Sequence, residues 1–185
     1  MLETVNDNLK VSGVVVFEFI LFSVFPAAMV FAAASDFFSM KISNRLTVGF
    51  ALAFLVVAIY CGIGTEQIIM HVSAGVAMLL VGFGLFAMGW IGGGDAKFFA
   101  ATAIWLGWSP LFEYALWAAL AGGALTFLVI VVRGLPLPAY LKQQPWAVRL
   151  HSAGHGVPYG IALAVAGLVI YPGTSLVPLL LGITG

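Results

Sequence analysis

Residues 11–34 carry a single ionisable side chain, Glu18, and five further apolar runs follow, at 45–61, 68–90, 97–108, 111–133 and 157–171. A helix needs about 20 such residues to cross roughly 30 Å of hydrocarbon, and several of these runs reach that length. A soluble core could not hide so much apolar surface. Of the 185 residues, 63% are hydrophobic and only 8% charged, against about 25% charged in an average soluble domain. The bilayer is therefore the solvent, and an all-α, polytopic transmembrane helix bundle of about six spans is expected. Glu3 and Asp7 outweigh Lys10 ahead of the first run, and no A-x-A-like site ends it. It does not read as a cleaved signal peptide and is expected to stay in the mature protein.

The breaks between runs set the organisation. Residues 62–67 form a short turn; Gly92-Gly93-Gly94 interrupts the chain before Asp95, and Ser109-Pro110 closes the fourth run. Three consecutive glycines disfavour helix, so a helix is expected only from about residue 96. Residues 134–155 make the one long polar connection, with Pro136, Pro138 and Pro145 resisting helix. Residues 175–184 are apolar but too short to cross alone. Threading six spans puts Lys41, Arg45, Lys97, Arg133, Lys142 and Arg149 on one side and only Lys10 on the other. Basic residues accumulate in short cytoplasmic loops, so the N-terminus is expected outside. Asp36, closing the first span, and Asp95, following the third, then both arrive at the cytoplasmic end. A helix from 96 to 108 rises only about 20 Å, which sinks Asp95 to the membrane boundary, where irregular backbone can line a water-filled cavity.

Ionisable groups beside spanning segments are costly and mark function by default. Glu66 and Glu113 fit outer turns and helix starts, where a carboxylate complements the helix dipole. Glu18 lies inside the first span, within reach of the outer headgroups. Asp36 follows the small residues Ala32-Ala33-Ala34-Ser35, and Asp95 stands where it could cap a helix. Singly, each is a polar helix end. Together on one face, two carboxylates suggest a shared water. Peptide hydrolysis needs one carboxylate as general base on water and a protonated partner to polarise the carbonyl and then protonate the leaving nitrogen; close carboxyl groups divide these roles because double ionisation is disfavoured. No rival set competes. Cys61 is alone, so it forms no intramolecular disulfide or thiolate cluster, and it reads as a passive apolar residue. His71 reads as a hydrogen-bonded residue near a helix start, and the spacing of His151 and His155 across Ser152-Ala153-Gly154 makes a poor metal motif. No metal or cofactor is expected, and zero net charge offers no basic surface for nucleic acid.

Three segments resemble the prepilin peptidase family, the bacterial GxGD membrane aspartic proteases. Ser35-Asp36 with Lys41-Ile42-Ser43-Asn44-Arg45-Leu46-Thr47 is similar to the family's D, basic, I-P-N, L-T segment. Gly92-Gly93-Gly94-Asp95-Ala96-Lys97 resembles its G-G-G-D-x-K, and Val157-Pro158-Tyr159-Gly160-Ile161-Ala162 its P-Y-G-x-A. The resemblance implies a single transmembrane peptidase domain over residues 1–185 of a multi-pass protein of the bacterial inner membrane. It implies removal of the leader from type IV pilin-like precursors on the cytoplasmic side, with the pilus assembly machinery as a further partner and Asp36 and Asp95 as catalytic residues. Asn44, Gly92, Gly93, Gly94, Lys97, Pro158 and Tyr159 are implied near the substrate. Ser43 departs from the family's usual proline. The cytoplasmic extension with paired cysteines, found in members that also methylate the new N-terminus, is not seen, so the chain resembles the compact members serving tight-adherence, Flp-type pili. A preflagellin peptidase or another GxGD intramembrane protease is the nearest alternative, and a small transporter relaying ions through the two aspartates is the alternative of another class. An internal repeat would favour the transporter, and none is evident.

Overall fold

The computed structural model describes residues 2–152, 154 and 156–181, with side chains from residue 16 onward. Glu3, Asp7 and Lys10 therefore lie outside the described side chains, and His155 and residues 182–185 outside the described residues. The chain is a bundle of helices: α1 (Leu2–Ser39), α2 (Asn44–Tyr60), α3 (Thr65–Ala87), α4 (Gly93–Leu106), α5 (Leu111–Arg133), α6 (Pro145–His151), α7 (Tyr159–Ile170) and α8 (Leu176–Leu180). Short 3-10 turns at Leu141–Gln143 and Tyr171–Gly173 complete it. Residues 16–39 of α1, all of α3 and all of α5 are long and apolar enough to cross a membrane. The other three expected spans, α2, α4 and α7, are shorter, with 17, 14 and 12 residues. Long and short helices thus alternate along the chain.

At the centre lies α4, whose residues from Asp95 to Ala103 are all buried except Lys97. It is apolar on every side because α3, α2 and α7 all pack on it. The α3–α4 contact is close because α3 offers glycine where α4 approaches: a methyl group at Gly82 would lie 3.1 Å from the Ala96 Cα and Cβ. Small residues at a helix interface allow such approach where lipid removes any hydrophobic drive to associate. Around α4 runs an aromatic core. Trp105 stacks on Phe50 with centroids 5.1 Å apart and donates its indole N–H to the Phe50 carbonyl at 2.8 Å. Phe25 stacks on Tyr171 at 4.1 Å.

Several boundaries differ from those the sequence suggested. The first helix runs on to Ser39, so Asp36 is inside it, one turn from the end. Glycine costs a helix only about 1 kcal/mol, and α4 accordingly starts at Gly93, making Asp95 its third residue and Gly92 its N-cap. The long connection is not free of helix either. Pro145 takes the first position of α6, where its missing N–H costs nothing. Glu113 lies in the first turn of α5, as read from the sequence, whereas Glu66, read as part of the turn at 62–67, lies in the first turn of α3, which starts at Thr65.

Candidate active site

Asp36 is aimed inward by the periodicity of α1. Leu21, Phe25, Met29, Ala32 and Asp36 fall at steps of three or four and are all buried, so the carboxylate continues the core-facing stripe. Just beyond it the chain turns sharply. Met40 adopts a left-handed conformation, φ 54°, after the helix end. Ser35 and Ser39 donate their hydroxyls to the Lys41 carbonyl at 2.9 and 3.2 Å. Ser43 then caps α2, its Oγ accepting the Leu46 N–H at 3.2 Å. Ile42, buried in this turn, wedges between the glycine segment and α7.

Asp95 enters from the opposite wall. Its Oδ2 accepts the Gly92 N–H at 3.2 Å, the reach-back of a capping-box acid, satisfying a donor that the start of α4 leaves free. The third element is the start of α7, where the Gly160 N–H donates to Asp36 Oδ2 at 2.7 Å. Asp95 lines the same cleft as Asp36, so the two carboxylates face one shared space. Only glycine fits at position 160. A methyl group at Gly160 would stand 2.8 Å from Asp36 Oδ2 and 2.7 Å from Ile42 Cδ1. Both aspartates are buried, at 4% and 8% exposure, yet both line an open cleft of about 460 Å³. Residues 39–44 and 92–94 form its rim, so a polar backbone can reach the carboxylates.

The sequence-derived residues divide accordingly. Asp36, Asn44, Gly92, Gly93, Gly94 and Asp95 come together around the cleft. Lys97 turns away from Asp95 and donates its Nζ to Asn44 Oδ1 at 3.0 Å, tying α4 to α2. Pro158 is buried and caps α7. Tyr159 does not line the cleft: one residue is 100° around a helix from the next, and its ring lies in the gap left by Gly122 of α5, with its hydroxyl 3.3 Å from Thr126 Oγ1. Gly160 and Ile42 are the site residues that sequence reasoning passed over. Both stood inside the quoted motifs, but nothing in their spacing tied them to Asp36. His71 has a structural part, its Nδ1 2.8 Å from the Ile104 carbonyl and its ring stacked on Phe54. The pair formed by His151 and His155 is undescribed at His155.

Among the described residues, the basic side chains gather at the carboxylate end of the bundle. Arg149 donates to the Phe38 carbonyl at the end of α1, and Arg133 donates to the Leu150 and Gly156 carbonyls at 2.8 and 2.9 Å. These bonds fasten α6 and the approach to α7 against the site. A cation at a helix C-terminus satisfies orphan carbonyls and complements the dipole.

An all-helical membrane protein with a buried carboxylate pair in an open cleft at one end is the class that this fold and site define. A model of the type IV leader peptidase family matches residues 23–127, more than half of the chain, and the chain belongs to that family. It is thus a leader-peptidase type of protease. The matched stretch contains both Asp36 and Asp95 and ends before Gly160. Searches of curated proteins and of solved structures gave no match.

Proposed function

We propose that the chain is an aspartic endopeptidase that removes the leader of type IV pilin-like precursors, of the compact Flp-serving kind, with Asp36 and Asp95 as the catalytic pair. The observation that carries this reading is the pair of buried carboxylates that line one open cleft, each held by a backbone N–H, Asp36 by Gly160 and Asp95 by Gly92. Each aspartate commits its Oδ2 to a backbone N–H, Asp36 to Gly160 and Asp95 to Gly92. Each keeps its other oxygen for water and substrate. In the reaction, one carboxylate takes a proton from water as the hydroxide oxygen bonds to the scissile carbonyl carbon. The partner, protonated, hydrogen-bonds the carbonyl oxygen as it gains charge. A proton then passes to the nitrogen, the C–N bond breaks, and a new carboxyl terminus and a new amino terminus separate. The glycines at 92–94 leave the rim without side chains, so an extended backbone can approach the pair.

The basic end of the bundle, with Lys41, Arg45, Lys97, Arg133, Lys142 and Arg149, faces the cytosol by the bias of basic loops. This makes the protein a multi-pass component of the inner membrane, N-terminus out, cutting on the cytoplasmic side. Incubating the purified chain in liposomes with a pilin-like precursor and reading the product by mass tests the proposal. One cut where the polar leader meets the precursor's apolar stretch is expected. A precursor left whole by folded protein would sink it.

A further inference from the structure

Beside the cleft runs an apolar groove of about 390 Å³, walled by α2 and α3 and floored by α4. It exists because α2 and α3 each rest on α4 while making few contacts with each other. Small, buried residues, Ala100 and Ala101, form the floor. Val48, Ala51, Val76 and Leu79 form the walls, with Val48, Val76 and Leu79 at 58%, 53% and 43% exposure. From Asn44 to Ala51 and from Lys97 to Ile104 a helix rises about 10 Å, so the groove is two turns long.

One end is polar, and it is the end that meets the cleft. Asn44 lines both spaces, and its hydrogen bond to Lys97 stands at their junction. The lining therefore passes from two carboxylates, through an amide and an ammonium, to an apolar trough. An apolar face alone means little in a bilayer, but this sequence of chemistry matches a chain that is polar on one side of the cut and apolar on the other. We propose that the groove seats the apolar segment of the protein substrate as a helix, and that this seating selects the bond presented to Asp36 and Asp95. The inference rests on the peptidase reading and extends it to how the substrate is held. Alanines on the floor allow close backbone approach, and a seated helix fixes register, since a slip of one residue moves the chain by about 1.5 Å.

The test uses the full chain in liposomes, a pilin-like precursor with its apolar segment, and a truncated peptide that keeps the cut site but only the first few residues of that segment. Ala51→Phe and Val76→Phe fill the groove, while Leu52→Phe, on the exposed face of α2 outside it, is the control. Filling the groove is expected to raise KM for the precursor about tenfold, to leave cleavage of the truncated peptide unchanged, and to spare the control. A photoreactive benzoylphenylalanine in place of Val76, in an Asp36→Asn background, is expected to cross-link the precursor. Cross-links to lipid alone, or equal losses in Val76→Phe and Leu52→Phe, would overturn the groove assignment. Wild-type protein that cross-links the precursor but cuts neither substrate would overturn the peptidase reading and leave the groove standing.

Discussion

At Gly160 the chain forgoes a side chain so that a carboxylate 124 residues away can be held. The Gly160→Ala variant must push either Asp36 or Ile42 aside, and misplacing a catalytic group by about 1 Å costs on the order of 100-fold in rate. Helix content by circular dichroism should be unchanged while cleavage falls by about that factor; cleavage at the wild-type rate would mean the N–H is not a fixed point of the site. Ser43 shows the opposite tolerance. Its φ of −72° lies in the range proline adopts, and Ser43→Pro should retain cleavage within about twofold, the lost cap offset by reduced freedom in the unfolded chain. A turn broken by proline would instead abolish activity. The two aspartates were legible in the sequence only as a pair, because charge counting brought both to one end of the bundle and both stood in segments resembling one family; singly, each was a polar helix end. Gly160 was not legible, since its necessity depends on a contact between α1 and α7 that no local pattern encodes.

Among the elements, α4 decides where the site lies. Its 14 residues are too few to cross, and its first turn contains two glycines, one of which the neighbouring chain explains. A side chain at Gly94 would press on the Ile42 backbone at 3.3 Å, whereas one at Gly93 would only touch Phe86, at 3.4 Å. The sequence reading took the glycines as a helix stop because propensity argues that way; packing overrode it, and Asp95 moved from cap to third residue. Residues 145–151 were likewise read as loop from their prolines, although Pro145 begins a helix anchored through Arg149. The α3–α4 contact is the element-scale prediction. Gly82→Val should destabilise the protein in detergent by about 1–3 kcal/mol, as overpacked cores do, lowering the thermal midpoint. An unchanged midpoint would show that α3 can move away from Ala96 freely.

Across the whole molecule, alternating long and short helices bring the ends of α1 and α5 and the starts of α2, α4 and α7 to one basic end around the cleft. The all-helical membrane bundle could be read from hydropathy alone, whereas the order in which its helices pack could not. Orientation is tested by labelling in a Cys61→Ser background, where Gln143→Cys should react with an impermeant thiol reagent only from the cytoplasmic side and Gln67→Cys, at the opposite end, only from outside. The reverse pattern would invert the bundle and carry the cleft to the other face. The central claim is that Asp36 and Asp95 act as one unit, and its most direct measurement is precursor cleavage by Asp36→Asn, Asp95→Asn and the double variant in reconstituted membranes. Each single change should lower the rate by at least about 100-fold, with insertion intact and the double variant little worse than either, as for residues that work together. Cleavage near the wild-type rate by either single variant would contradict the account.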